Sequence, residues 1–124
     1  NLDLELHIEL SGWLEPTAVR RALHRAKVFV HPSRREGFGL AVVEAIAAGC
    51  PIIASRAGGI PEVVEGTNAC LVEPECAKSL AEAMVKSLSR ENKVNNQPSH
   101  MKRFEWHRVV NNYEDRMIKL KTKR

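Results

Sequence analysis

From Phe38 to Ala48 every residue except Glu44 is apolar or glycine, and this run constrains the fold more than any other stretch. A helix apolar on nearly every side is normally buried on nearly every side. An ionised carboxylate placed there costs several kcal/mol unless something hydrogen-bonds it. The reading is therefore a buried helix with Glu44 held by a partner. Upstream, the apolar strand Val28-Phe29-Val30 leads through Pro32-Ser33-Arg34-Arg35-Glu36-Gly37-Phe38-Gly39 directly into that helix. A strand, a glycine loop and a helix N-terminus in succession make an anion site, because unpaired backbone N–H groups and the positive end of the helix dipole converge there. The loop offers a phosphate cradle flanked by two acids, Glu36 and Glu44.

Around this unit the chain alternates strand and helix. Leu6 to Leu10 reads as a short strand, and Pro16 suits the first turn of a helix with the stripe Ala18, Val19, Ala22, Leu23 and Ala26. A strand at 27–31 precedes a helix at 39–48, which Gly49 stops by taking the left-handed conformation. Ile52-Ile53-Ala54 reads as a buried strand, Ile60 to Glu65 as a short helix entered through the turn Gly58-Gly59, and Cys70-Leu71-Val72 as another strand. Leu80, Ala81, Met84, Val85 and Leu88 fall at helical spacing within 75–90, and Asn92 to His100 reads as a polar linker. Trp106, Val109, Val110, Tyr113, Met117 and Leu120 put a further helix at 104–120. Repeated units of this kind imply α/β architecture, a doubly wound, Rossmann-like parallel sheet covered on both faces. Ligands in such sheets bind outside the carboxyl ends of the strands, where the loops 31–38 and 55–60 emerge.

Composition narrows the classes further. At 124 residues the chain is one domain, long enough to bury a core. No segment reaches the roughly 18 continuous apolar residues of a membrane span. Three cysteines, Cys50, Cys70 and Cys76, lack metal-ligand spacing. With Cys50 and Cys70 beside apolar runs, the expectation is buried reduced thiols, as in a cytoplasmic protein, and no bound metal. The net charge of +4 concentrates in Arg20-Arg21-His24-Arg25-Lys27 and in the tail Arg116 to Arg124. Solvated faces explain both clusters, and peripheral contact with an anionic membrane is the sharper alternative. Nucleic acid is not an expected partner, since the basic residues are not interleaved with aromatics and no binding motif is present.

The motifs together resemble the retaining glycosyltransferases of family 4, which have the two-domain GT-B architecture. Members carry Pro-Ser followed closely by Glu-Gly-Phe-Gly-Leu, a second glutamate after seven intervening residues, then Ala-x-Ala-x-Gly and a buried strand. Here these are Pro32-Ser33, Glu36 to Leu40, Glu44, Ala45 to Gly49 and Pro51-Ile52-Ile53-Ala54. The match continues through Gly58-Gly59-Ile60-Pro61-Glu62-Val63-Val64 and Leu71-Val72-Glu73-Pro74, and includes Gly12-Trp13-Leu14 upstream. Ala69 stands where the family usually has glycine.

The resemblance implies transfer of a sugar from a nucleotide diphosphosugar to an acceptor hydroxyl with retention. The nucleotide sugar is then a substrate, and no cofactor is called for. It places Glu36 at the catalytic position, near the donor sugar's hydroxyls together with Gly37, Phe38 and Gly39. The amides near Leu40 and Ala41 go to the distal phosphate and Glu44 to the ribose hydroxyls. Gly12 and Leu14 fall on the nucleobase side, with Trp13 in the core. His31 is either a strand-end polar residue or a residue facing the cleft, and Arg34 and Arg35 read as solvated charges, with a hand in holding phosphate as the alternative. The chain would then be most of the C-terminal, donor-binding half of a GT-B enzyme. The N-terminal acceptor domain and the Arg/Lys pair at the opening of the donor domain lie outside it. On that reading the isolated chain is inactive, the whole enzyme works in the cytoplasm or at the inner face of a membrane, and 104–120 crosses back toward the acceptor domain. A GT-B-like sugar-nucleotide epimerase and a noncatalytic nucleotide- or partner-binding module are the alternatives.

Overall fold

The computed structural model describes residues 4, 7–89 and 98–105. The expected helix over 104–120 and the basic tail lie, beyond Glu105, outside the described residues. The elements run α1 (Pro16–Arg25), β1 (Phe29–His31), α2 (Leu40–Ala47), β2 (Ile52–Ser55), α3 (Ile60–Val63), β3 (Cys70–Val72), α4 (Ala77–Leu88) and α5 (Pro98–Met101), with a 3-10 turn at Lys102–Phe104.

The three strands form a parallel sheet in the order β1-β2-β3. Phe29 pairs with Ile52 and His31 with Ala54, while Ile53 pairs with Cys70 and Ser55 with Val72. All four residues of the central strand are buried. A continuous apolar segment is what a strand covered on both faces requires, and Ile52-Ile53-Ala54 supplies it. Ser55 is the lone buried polar residue among those described, at the point where the strand gives way to the site loop.

α2 packs against β2, α3 and α5. Its buried residues are Val42, Val43, Ala45 and Ile46. Residues 40, 44 and 47 form the outward stripe, as positions spaced by four and three must. The expectation that Glu44 is buried is therefore corrected: it is exposed, and its carboxylate has no hydrogen-bond partner among the described residues. Hydrophobic composition filled the helix, but only one side of it has neighbours. Gly49 ends it at φ 69°, as expected.

Other expectations also change. Residues 7–10 form no strand; the His7 N–H closes a turn on the Leu4 carbonyl, and Ile8 and Leu10 are exposed. Trp13, expected in the core, is 79% exposed, because residues 8–15 lie outside every helix and strand and all are exposed. Of the cysteines only Cys50 is buried; Cys70, on the outer strand, and Cys76 are exposed, and none of the three is in a disulfide. α4 buries no residue fully, with Leu80 and Met84 half-buried and Val85 and Leu88 exposed. Pro98–Met101, which begins within the expected linker 92–100, is a helical turn packed on α2. No helix among the described residues is long and apolar enough to cross a membrane.

Candidate functional site

Because the sheet is parallel, β1, β2 and β3 all deliver their following loops to one edge. The loop after β1, residues 32–39, meets the loop after β2, residues 56–59, backbone to backbone. The Gly59 N–H donates to the Glu36 carbonyl at 3.3 Å. Gly58 has φ +50°, and a Cβ there would lie 1.6 Å from the Glu36 carbonyl oxygen. A Cβ on Gly59 would lie 2.6 Å from the Gly37 carbonyl oxygen. The Gly58-Gly59 pair is thus a turn, as its sequence suggests, and also the only kind of surface on which the glutamate loop can rest this closely. Two exposed ion pairs join the same edge: Arg34 with Glu75 at 3.0 Å and Arg56 with Glu73 at 3.5 Å. Pairs so exposed contribute at most about 1 kcal/mol each.

Glu36 is half-buried rather than a free surface acid, and His31 Nε2 lies 3.0 Å from its Oε2. A carboxylate can only accept, so Nε2 carries the hydrogen. That hydrogen bond is the main cause holding the Glu36 carboxyl below its ordinary value; partial burial opposes it, and the N–H groups of Gly39 and Gly37 lower it further. The His31 ring is itself stacked on Phe29, centroids 6.0 Å apart and planes 18° from parallel. Residues two apart on a strand share a face, which is how β1 brings the two rings together.

Gly39 caps α2 at φ 88° with no side-chain hydrogen bond. The first N–H groups of the helix, at Leu40 and Ala41, have no acceptor within the helix itself. Phe38 and Leu40 are 52% and 65% exposed beside them. Glu36, Gly37, Phe38, Gly39, Leu40 and Ala41 therefore lie together at the start of α2, and Glu44 stands one turn along on the exposed stripe below Leu40. Gly12 and Leu14 are exposed on the chain that enters α1. Arg35 is exposed, and Arg34 is exposed and paired with Glu75.

Two features were not foreseen from the sequence. One is the His31–Glu36 pair; the spacing across a Pro-Ser turn was its only signal. The other is a clasp from the 98–105 segment onto α3. Arg103 donates to the carbonyls of Glu62 at 2.9 Å and Glu65 at 3.0 Å, and His100 Nε2 donates to the Val63 carbonyl at 3.2 Å. Phe104 meets Phe38 edge-on, ring centroids 6.0 Å apart. Carbonyls at a helix end need donors, and here distant side chains supply them.

Comparison with known proteins decides the family. The model of the family described as glycosyl transferases group 1 matches residues 1–90. The chain belongs to this family. Among relatives of the chain, an uncharacterized glycosyltransferase of Methanocaldococcus jannaschii is 34% identical over 109 residues, covering 84% of this chain and 31% of that protein. One subunit of the human phosphatidylinositol N-acetylglucosaminyltransferase is 38% identical over 86 residues, 68% of this chain and 18% of its own length. Among solved structures, Anabaena HepE in complex with UDP and glucose superposes with a TM-score of 0.75 at 27% identity, covering 96% of this chain and 33% of that one. Sucrose-phosphate synthase from Thermosynechococcus elongatus gives a TM-score of 0.79 at 26% identity, over 98% of this chain and 32% of that one. The group 1 chain spans a third or less of the length of these relatives, and its structural neighbours are GT-B domains.

Proposed function

We propose that the chain is the donor-binding part of a retaining, family 4 glycosyltransferase, which moves a sugar from a nucleotide diphosphosugar to an acceptor hydroxyl. The observation that carries this reading is the open start of α2. An uncapped helix N-terminus stands at the carboxyl edge of a parallel sheet, with the ordered carboxylate of Glu36 on one side. One turn along the exposed stripe of α2 stands Glu44, whose carboxylate has no partner among the described residues. The structural neighbour HepE has been solved with UDP-glucose, which supports the same ligand class here.

In this reading the N–H groups at Leu40 and Ala41 receive the distal phosphate, because the helix terminus presents partial positive charge to it. Glu36, with the backbone of Gly37, Phe38 and Gly39, meets the sugar hydroxyls. Glu44 accepts from the ribose hydroxyls, and Gly12 and Leu14 lie toward the base. Neither carboxylate need be a nucleophile; the leaving diphosphate, held electrostatically, takes the acceptor's proton during attack on the same face. A helix terminus contributes about 1 to 2 kcal/mol toward an anion, whereas enzymes lower barriers by about 8 to 23 kcal/mol. The remainder falls to the rest of the enzyme, including the acceptor domain. The isolated chain should therefore bind donor and not turn it over. The exposed Arg20, Arg21, His24 and Arg25 of α1 suit a solvated face or contact with an anionic membrane.

The test is an NMR titration of the chain with UDP, GDP and ADP sugars. Amide shifts should cluster on residues 36–44. No response at millimolar ligand from a folded chain would refute the reading.

A further inference from the structure

We propose that His31 is a positioning residue for the donor sugar, acting through Glu36. The assignment rests on the donor-site reading above and adds to it a residue that the motif around Glu36 does not include.

Three observations carry it. First, the Glu36 backbone is fixed from below by Gly58 and Gly59, so its main chain has little freedom. The side chain still has three rotatable bonds, and the Gly37 and Gly39 N–H groups that also hydrogen-bond its carboxylate belong to the same loop, so they tie it to nothing outside that loop. Second, His31 Nε2 removes that freedom by binding Oε2 at 3.0 Å. Third, the imidazole is not a loose donor: it sits on the last residue of β1, hydrogen-bonded into the sheet opposite Ala54 and stacked on Phe29. Order thus passes from the sheet to the Phe29 ring, to His31, to the carboxylate. An ionised carboxylate has about four lone-pair sites. The bond from His31 and those from the Gly37 and Gly39 N–H groups still leave acceptor capacity for one sugar hydroxyl, with the geometry already set. Preorganised contacts of this kind avoid the ordering cost at the moment of binding.

The role predicts selectivity between ligand parts. His31 should matter for the hexose and not for the nucleotide. The experiment is isothermal titration of the chain with UDP-glucose against UDP, repeated with the GDP-mannose/GDP and ADP-glucose/ADP pairs. The variants are His31→Phe, which keeps a ring to stack on Phe29 but cannot donate; His31→Gln, whose amide nitrogen can replace Nε2; and Glu36→Gln. His31→Phe should weaken the sugar nucleotide by about three- to tenfold relative to the bare nucleotide, the scale of one ordinary hydrogen bond, since His31 acts on the sugar only through Glu36. Bare nucleotide affinity should be unchanged. Glu36→Gln should shift the same ratio, the double variant should lose little beyond either single one, and His31→Gln should recover much of the loss. An imidazole nitrogen shift at His31 that moves in Glu36→Gln would report the contact directly.

An unchanged ratio in His31→Phe, or equal weakening of nucleotide and sugar nucleotide, overturns the positioning role while leaving the donor site standing. So does a lack of rescue by His31→Gln. Failure of the folded wild-type chain to bind any of the three pairs overturns the donor-site reading and this assignment with it.

Discussion

Gly58 and Gly49 both sit at positive φ, +50° and +69°, yet they face different surroundings. Around Gly49 nothing lies within 4 Å of an added Cβ, whereas at Gly58 the Cβ would fall on the Glu36 carbonyl. Gly49→Ala should therefore cost only the left-handed backbone, about 1 to 2 kcal/mol. Gly58→Ala should cost about 3 kcal/mol or more, since strain and a backbone collision add. Denaturant midpoints of the two variants check the contrast, which a purely conformational role for both glycines would abolish. Glu36 carries a pH signature. Its pKa is depressed in the folded chain, first by His31, so its contribution to stability is complete above the ordinary glutamate value of about 4.3 and is lost as pH falls through the lowered value. The difference in thermal unfolding between wild type and Glu36→Gln should shrink as pH falls below that ordinary value, and a gap unchanged in acid would show that the partners of the carboxylate contribute nothing. The glycine loop itself was legible, because Gly37, Gly39 and the two acids announce it by type and spacing. The side-chain pairing was not: a single histidine at a strand end carries no compositional signal, and its role depends on the direction in which the strand ends.

At the scale of elements, periodicity located α1, α2, α3 and α4 within two or three residues, and apolar runs located the three strands. Sidedness was harder to read. α2 is apolar all round in sequence and yet exposes Leu40, Glu44 and Ala47, because small alanines and valines satisfy a buried face and an open one equally well. Ile8, Leu10 and Trp13 have the composition of a core without a neighbouring element among the described residues to cover them. Hydrophobicity states what a residue would gain by burial; packing partners decide whether it is buried. The clasp on α3 was invisible for a similar reason, since an arginine near a polar segment looks like a solvated charge. Arg103→Ala should lower stability by about 1 kcal/mol, the net value of a typical hydrogen bond with allowance for the partial exposure of this one. Amide exchange at Val63 and Val64 should quicken with it, and unaltered exchange there would show that the carbonyl contacts contribute nothing.

For the whole molecule, Glu44 offers the cleanest separation of binding from folding. It is exposed and its carboxylate has no partner among the described residues, so Glu44→Gln should leave stability within about 0.5 kcal/mol of wild type, as surface substitutions generally do. If ribose hydroxyls are its partners, nucleotide affinity should fall by about 1 to 3 kcal/mol. A large stability loss with unchanged affinity would reverse that assignment. The clasp carries a further consequence, for the order of events when the chain folds. Its hydrogen bonds join residues 37 to 41 positions apart, and its acceptors are carbonyls that converge only once α3 has formed beside the sheet. Closure of so long a loop before its target exists has no reward. The segment from Pro98 to Phe104 should then dock after the barrier is crossed, so weakening it speeds unfolding and leaves the refolding rate almost untouched. Since Phe104 also rests on Phe38, the glycine loop gains its last neighbour at the end of folding and loses it at the beginning of unfolding.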